Sequence, residues 1–243
     1  MTMSDIVTFF KSGVKNAITQ TVLFIFFRKR LKIIITSTGR SGSTMLFNAI
    51  AEGLIRKKIG SVSTLLFGGM FKSFSSSYLE KMSDINSLDF VVYKNHEPYI
   101  KKYNNINSQI YLFVYGDPLD SALSVSSVVN KKGVSWFYKH QKNLGGTGSY
   151  DNMYKKDVLN YEEIMNSWLK AKESNILCIE YDDLWENEVA ISNFIGFDVK
   201  LPDRLNRSNK NQDKSKINKE LFNDLRNKKN SLKNQYHNKI LKQ

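Results

Sequence analysis

The sequence predicts an α/β fold with an open parallel sheet flanked by helices on both faces. Four short runs are rich in Ile, Val, Leu and Phe without alternation, which is typical of parallel strands covered on both faces. They cover residues 31–36, 90–94, 109–115 and 175–181. Stretches with helical periodicity occur at residues 44–56, 119–130, 157–172 and 183–194. Because strands alternate with helices, we expect right-handed crossovers and a ligand site beyond the carboxyl ends of the strands.

The composition is that of a globular chain. The 243 residues carry 36 Lys and Arg against 23 Asp and Glu, a net charge of +13, and 41% are hydrophobic. The single cysteine, Cys178, lies in an apolar run, so we expect an inert core thiol and no disulfide framework or multi-cysteine zinc site. His140 and His237 have no carboxylate or cysteine at ligand spacing, so no metal site is expected. Three tryptophans fall in helical patterns and are expected to pack in the core: Trp136, Trp168 and Trp185.

Residues 1–30 are predicted to form an amphipathic N-terminal helix, because their apolar residues recur at helical spacing. The apolar run that ends at Phe27, even extended back to Ala17, is well short of the roughly 20 residues of a spanning helix. We expect this helix to pack on the domain's own sheet, and peripheral membrane contact is the alternative. The lack of cysteine pairs and of a spanning helix favours a cytoplasmic location.

The rest of the chain divides into a central α/β domain, residues 31–202, and a basic segment, residues 203–243. The basic segment contains twelve Lys and Arg against four Asp and Glu, so it carries +8 of the net charge. Apolar residues recur there at i, i+4 and predict two terminal helices. Such a charge attracts nucleic acid, anionic lipid and phosphorylated or sulfated ligands alike. No nucleic-acid recognition motif accompanies it, which disfavours a nucleic-acid partner.

The most informative stretch follows the first predicted strand, where the sequence TSTGRSGST leads into a helix. Glycines let successive backbone N–H groups converge, the helix start supplies partial positive charge, and the hydroxyls and the arginine add further donors. This P-loop-type arrangement predicts a cradle for phosphate or sulfate. Its predicted binding residues are Gly39, Arg40, Ser41, Gly42, Ser43 and Thr44.

The loop differs from the one that binds nucleoside triphosphates. The pattern GxxxxGK[ST] requires a lysine directly before the last Ser or Thr, to reach the β- and γ-phosphates. That position is Ser43 here, the first glycine position is Ser37, and the cation stands at Arg40. An ATP or GTP loop is therefore disfavoured, and a nucleotide kinase is retained only as an alternative.

Residues 40–44, RSGST, resemble the 5′-phosphosulfate loop of the sulfotransferases, which transfer a sulfuryl group from 3′-phosphoadenosine 5′-phosphosulfate (PAPS). The arginine form is closer to the carbohydrate and tyrosylprotein branches of that family. Residues 92–98, VYKNHEP, are similar to the family's Lys-Thr-His strand end. Residues 112–124 resemble its 3′-phosphate motif, and residues 179–184, IEYDDL, resemble its Tyr-Glu-Asp-Leu segment. The resemblance covers the chain from about Leu31 to Pro202.

The resemblance implies PAPS as co-substrate, no metal, and an acceptor hydroxyl, with a glycan as one candidate. It assigns His96 as the general base, with Glu97 as a rival. Arg40 would neutralise the leaving phosphate, and Lys94, which shares a strand face with His96, would contact the transferring group. Ser124 corresponds to the family's 3′-phosphate serine. The structural alternatives are a hydrogen-bonded strand-end histidine, a solvated lysine and a helix-surface serine.

One position departs from the family pattern. Gly116 stands where the 3′-phosphate motif has an arginine, and a charge-assisted bond of this kind contributes about 1.5–3 kcal/mol. The family closes this part of the site with a basic segment after the core, so Arg204, Arg207 and Lys210 are candidates to replace the missing cation. A non-catalytic module that binds anions, nucleic acid or lipid on the same scaffold is the other alternative.

Overall fold

The computed structural model describes residues 31–61, 69, 72, 76–79, 81–86, 91–204 and 217–236, the last without the side chain of Tyr236. The predicted N-terminal helix over residues 1–30 lies outside the described residues, as do Arg207 and Lys210. No helix within the described ranges is long and apolar enough to cross a bilayer.

Five parallel strands form one sheet, in the order β2-β3-β1-β4-β5. The strands are β1 (Lys32–Ser37), β2 (Ser76–Tyr78), β3 (Val92–Lys94), β4 (Gln109–Tyr115) and β5 (Ile176–Glu180). The prediction of an open parallel α/β sheet is confirmed. β2 was not predicted from the sequence, because a three-residue edge strand of sequence SSY has no apolar run. The strand order reverses direction beside β1, where open sheets of this kind bind ligands.

Six α-helices are described around the sheet. They are α1 (Ser43–Ile59), α2 (Pro118–Lys132), α3 (Val134–Asn143), α4 (Tyr161–Leu169), α5 (Glu188–Ile195) and α6 (Lys219–Tyr236). α4 is shorter than predicted because the Asp157 carboxylate accepts hydrogen bonds from the backbone N–H groups of Tyr161 and Glu162 and so caps the helix. For α3 the sequence predicted only a helical pattern at Trp136, without bounds. Gly133, with φ 80°, ends α2 and turns the chain into α3. The prediction of two terminal helices is wrong in the described part, where α6 is one continuous helix.

The core lies on both faces of the sheet, because successive side chains of a strand point to opposite sides. Ile33 and Ile35 of β1 pack on one side with residues of α1 and α5. Ile34 packs on the other, in a cluster that includes Trp168 and residues of α2, α3, α4 and α6. Cys178 belongs to this second cluster, and burial raises the pKa of its thiol to about 12. It is therefore the inert core thiol that the sequence predicts.

Ion pairs and apolar contacts hold α6 on the domain. Arg226 donates two hydrogen bonds to Asp117, the residue that caps the start of α2. Lys229 and Lys233 both pair with Glu180 at the end of β5, and Phe222, Leu225 and Leu232 of the same helix are buried. Several positive charges of the basic segment are thus compensated by carboxylates of the domain.

Candidate active site

The loop between β1 and α1 is tightly curled. Gly39, Arg40 and Gly42 have φ of 79°, 54° and 82°, in the left-handed region that glycine adopts most easily. A Cβ at Gly42 would lie 2.5 Å from the Tyr181 ring, so only glycine fits there. Arg40 adopts the same region without being glycine, which is uncommon and is characteristic of functional loops. Successive backbone N–H groups in a tight turn of this kind can form an anion-binding concavity.

The hydroxyl groups of the loop have different partners. The Ser41 hydroxyl is buried and donates to the carbonyl of Val114, 2.9 Å away, so it ties the loop to β4. It does not line the cleft described below, and any contact of Ser41 with an anion would come from its backbone N–H. The Ser37 hydroxyl donates to Ser43 Oγ at 3.0 Å and accepts from the N–H of Gly39 at 3.3 Å.

The start of α1 presents unused backbone donors. Leu46 is the first residue of the helix whose N–H bonds back along the chain, to the carbonyl of Gly42. The N–H groups of Ser43, Thr44 and Met45 precede it and have no intrahelical acceptor. All three residues line the same cleft, so these amides and the positive end of the helix face it.

A cleft of about 570 Å³ lies at the carboxyl ends of β1, β2 and β3. It brings together seven of the predicted site residues, namely Arg40, Gly42, Ser43, Thr44, Lys94, His96 and Ser124. Sequence reasoning missed the other lining residues, which are Met45, Tyr78, Ser127, Trp136, His140, Asn143 and Tyr181. None of these fourteen described residues is an Asp or Glu. Gly39 and Arg204 do not line the cleft.

Two cations converge on the cleft from opposite elements. Lys94, the last residue of β3, donates from Nζ to Thr44 Oγ1 at 2.6 Å. Arg40 donates from Nε to Ser124 Oγ at 3.0 Å, which links the loop to α2. Burial and the nearby charge of Arg40 lower the pKa of Lys94 to about 8. Burial of the ammonium is the larger cause and repulsion by Arg40 the smaller, and a bound anion would offset both.

His96 is held in one tautomer. Its Nδ1 lies 3.0 Å from Ser37 Oγ and 3.3 Å from the Ser37 carbonyl oxygen. A carbonyl only accepts, and the Ser37 hydroxyl proton is already donated to Ser43, so Nδ1 carries the ring proton. The lone pair is then on Nε2. Burial, followed by the charges of Lys94 and His140, lowers the pKa of His96 to about 3. The ring is neutral at pH 7 and able to accept a proton at Nε2.

The rival base, Glu97, points elsewhere. Its carboxylate accepts a hydrogen bond of 2.6 Å from the N–H of Met82, and its carbonyl accepts one from the Trp168 indole. Glu97 does not line the cleft. Its position next to His96 in the sequence places it on the other side of the chain, where it caps the short turn Met82–Asn86.

His140 and Trp136 reach the cleft from α3. Their rings are stacked, with centroids 4.9 Å apart and an interplanar angle of 14°. His140 also meets His96 edge to face, with centroids 5.9 Å apart. Its Nε2 is buried and has no hydrogen-bond partner among the described residues, and burial and Arg40 lower its pKa to about 4. Trp136 packs, partly buried, against the core cluster, as its helical setting predicts, and it also lines the cleft. The i, i+4 spacing of an aromatic residue and a histidine was the available signal.

The region around Gly116 lacks the family's arginine but is closely packed. A Cβ at Gly116 would lie 3.5 Å from Ser41 Cβ and 3.7 Å from Tyr181 Cβ, so a side chain there would start between the loop and Tyr181. The Tyr181 ring meets the Trp185 ring edge to face, with centroids 5.4 Å apart, and Arg204 contacts Trp185. Its guanidinium is 5.3 Å from the Trp185 ring and forms a 2.7 Å ion pair with Asp182.

No family model matches the chain, and no curated protein matches it. Among solved structures, it is similar to mouse sulfotransferase SULT7A1 complexed with PAP, at 16% identity over 88% of this chain and 68% of that one, with a TM-score of 0.41. It is also similar to retinol dehydratase in a complex with retinol and PAP, at 14% identity over 74% and 64%, with a TM-score of 0.43. A complex of retinol dehydratase with androsterone and PAP matches at 13% identity over 87% and 66%, with a TM-score of 0.39. The chain thus spans about two thirds of the length of these proteins, and at such identities and scores we draw no functional argument from the likeness.

Proposed function

We propose that the protein transfers a sulfuryl group from PAPS to an acceptor hydroxyl, with His96 as the general base. The observation that carries this proposal is an imidazole, with its lone pair on Nε2, beside two cations and the open backbone amides of a glycine-containing loop in one cleft. An alcohol must lose its proton as it attacks, and a positioned base contributes about 10²–10⁴-fold to such a step.

The residues of the cleft fit an anionic donor. Arg40, Lys94 and the open amides of α1 supply positive charge, and the described lining residues include no carboxylate that would repel a phosphosulfate. The hydroxyls of Ser43 and Thr44 are further donors, as the sequence suggests. We infer that Gly39 and Ser41 act through the backbone shape and amides of the loop, because neither side-chain position faces the cleft.

In the proposed reaction, a bond forms between the acceptor oxygen and sulfur, and the bond from sulfur to the bridging phosphate oxygen breaks. The acceptor proton passes to His96 Nε2, and adenosine 3′,5′-bisphosphate leaves. By analogy with phosphoryl transfer, the protein acts mainly by positioning and by stabilising charge. Arg40 would stabilise the charge on the leaving phosphate and Lys94 that on the sulfuryl oxygens. An anion held beside these cations would also raise the pKa of His96 and strengthen the base.

Gly116 cannot supply the contact to the 3′-phosphate that an arginine makes in the family's motif. We propose that Ser124 and Arg204, together with Arg207 outside the described residues, supply contacts to it. Arg204 would have to leave its ion pair with Asp182 to reach the phosphate. Both side chains of that pair are exposed, so the pair is weak. If these residues do not replace the family's arginine, the binding free energy of the donor should be weaker by about 1.5–3 kcal/mol, the contribution of one charge-assisted bond.

The alternatives have less support. A nucleotide kinase requires carboxylates for Mg²⁺ near the phosphates, and the described lining of the cleft offers none. A nucleic-acid- or lipid-binding module would use the basic segment. In its described part, however, Arg226, Lys228, Lys229 and Lys233 are all engaged by carboxylates.

Two measurements test the proposal. Titration calorimetry should detect binding of adenosine 3′,5′-bisphosphate in preference to ATP and to an oligonucleotide. With radiolabelled PAPS and a panel of glycans, lipids and small alcohols, Arg40→Ala and His96→Ala should each abolish acceptor-dependent transfer. Arg40→Ala should also weaken bisphosphate binding, whereas His96→Ala should leave it within about twofold, because His96 is assigned to the acceptor proton. Transfer at the wild-type rate in either variant would contradict the role assigned to that residue.

A further inference from the structure

The outer side of α3 is exposed and carries both apolar and basic side chains. Val134 and Tyr138, one turn apart, are 43% and 46% exposed, and they are two of the six large apolar side chains that are exposed among the described residues. Lys142 follows Tyr138 at the same spacing. Phe137 and Gln141 are buried on the side that faces the domain. The outer side is therefore not the side by which α3 packs on the domain.

The end of α2 adds two lysines to this region, because only the turn at Gly133 separates the two helices. We call the region the α2–α3 surface; it consists of Lys131, Lys132, Val134, Tyr138, Lys139 and Lys142. Its four lysines are exposed, and none makes an ion pair with a described residue. Residues 121–150 contain no Asp or Glu. In contrast to the paired lysines of α6, these charges are not compensated by the described domain.

The α2–α3 surface borders the opening of the cleft. Trp136, His140 and Asn143 of the same helix line the cleft, and Asn143 is also exposed. Lys139 is one turn before Asn143, so the two side chains are neighbours on the helix surface. A large body that contacts the outer side of α3 therefore lies beside the entrance of the cleft.

We propose that the α2–α3 surface docks the protein on a bilayer that contains anionic phospholipids. The negative potential of such a bilayer attracts the four lysines, and tyrosine lies preferentially at the depth of the headgroups. Val134 and Tyr138, which lie between the two pairs of lysines along the chain, enter the boundary between headgroups and acyl chains. A nucleic acid would engage the lysines but would leave Val134 in water, so a bilayer accounts for more of the surface. The docking is independent of the reaction proposed for the cleft.

Binding of the full chain to vesicles measures the docking. Vesicles of phosphatidylcholine are compared with vesicles in which about one third of the lipid is phosphatidylserine, and the bound protein is measured by co-sedimentation. Only the anionic vesicles should bind the protein. Raising the salt concentration from about 0.1 M to about 0.5 M should weaken this binding about tenfold, because screening shortens the range of the attraction.

The contribution of charge is tested with Lys139→Gln/Lys142→Gln. A lysine near an anionic bilayer contributes a factor of about five to the affinity, so this variant should bind about thirtyfold more weakly. Lys170→Gln/Lys172→Gln makes the same charge change at exposed positions between α4 and β5. This control should change the affinity by less than about twofold, because its lysines lie outside the proposed surface.

The apolar contribution is tested with Val134→Ser/Tyr138→Ser, which should weaken vesicle binding about fivefold at both salt concentrations. Ile100→Ser/Ile106→Ser is the matched control, because it removes two similarly exposed apolar side chains from the connection between β3 and β4. This control should leave the affinity unchanged. Thermal melts establish that each variant is folded.

A second basic cluster in the sequence, Arg28, Lys29 and Arg30, follows an apolar run outside the described residues and is the rival membrane contact. In the background Arg28→Gln/Lys29→Gln/Arg30→Gln, the substitutions at Lys139 and Lys142 should still weaken binding by the same factor. Equal effects of the two lysine variants, or a loss of binding only on substitution at 28–30, would overturn the proposal. Tight binding of an oligonucleotide without binding of anionic vesicles would do the same.

Discussion

Raising the pH from 7 to 9 should weaken the binding of adenosine 3′,5′-bisphosphate about tenfold, because Lys94 loses its proton in this range. Lys94 is largely buried beside Arg40, and these two effects lower its pKa to about 8. An ordinary surface lysine, with a pKa of about 10.4, would stay charged throughout. The prediction therefore isolates one side chain of the cleft.

The magnitude follows from the pKa of the ligand-free protein. About nine tenths of Lys94 molecules are charged at pH 7 and about one tenth at pH 9, and only the charged form attracts the phosphate strongly. Neither histidine of the cleft titrates in this range, and the ligand is already fully ionised. His96 and His140 have pKa values of about 3 and 4, so both are neutral throughout. The phosphate groups of the ligand have already lost their second proton, with a pKa of about 6.

Calorimetric titration of the bisphosphate at half-unit steps of pH measures the effect. Lys94→Arg is the matched control, because a guanidinium stays protonated over the whole range. Its affinity should be nearly constant between pH 7 and 9, and that of Lys94→Ala should be constant and weak. A wild-type affinity that changes by less than twofold, or a decline of equal size in Lys94→Arg, would refute the role assigned to Lys94.

Two further variants test the support of the site. Ser37→Ala removes the hydroxyl beside the imidazole Nδ1 and should lower kcat about ten- to hundredfold, with a shifted pH profile of activity. Ser37→Thr keeps the hydroxyl and should retain most of the activity. A loss of stability with an unchanged pH profile would mean that Ser37 is only structural. Arg226→Ala leaves the half-buried Asp117 carboxylate without its guanidinium and should lower the free energy of unfolding in urea by about 2 kcal/mol at pH 7. Burial favours the neutral form of Asp117, but the hydrogen bonds from Arg226 and the backbone hold its pKa below the usual value. The loss in free energy of unfolding should therefore diminish as the pH falls towards 3, where the carboxylate becomes protonated. A loss that is independent of pH would contradict the ion-pair explanation.

Local sequence patterns were sufficient for four of the five strands of the described sheet and for the loop after β1. The strands β1, β4 and β5 are continuous apolar runs, and burial on both faces of a parallel sheet demands that pattern wherever it occurs. The loop residues lie within a few positions of one another, so the spacing of Gly39, Arg40 and Gly42 already specifies a concave backbone. The pairing of Lys94 with His96 follows from strand periodicity in the same way.

Longer-range features could not be predicted, because they depend on how separate elements pack. The hydroxyl of Ser41 faces Val114 and not the cleft, which depends on where β4 lies relative to the loop. The tautomer of His96 depends on Ser37, 59 positions earlier in the chain. The bounds of α3 were not predicted, although Trp136 was placed in a helical pattern, since the amphipathic pattern is short and follows α2 after a single glycine.

The sequence by itself determined a parallel α/β sheet with a glycine- and serine-rich loop at the end of its first strand, because these features depend on neighbours along the chain. Only the tertiary structure decided which groups share the cleft with that loop. It brought Trp136 and His140 to the imidazole of His96 and directed the charges of α6 onto carboxylates of the domain. The physical reason is that hydrogen bonds, ring contacts and pKa shifts act over a few ångströms, a distance that packing and not position in the sequence controls.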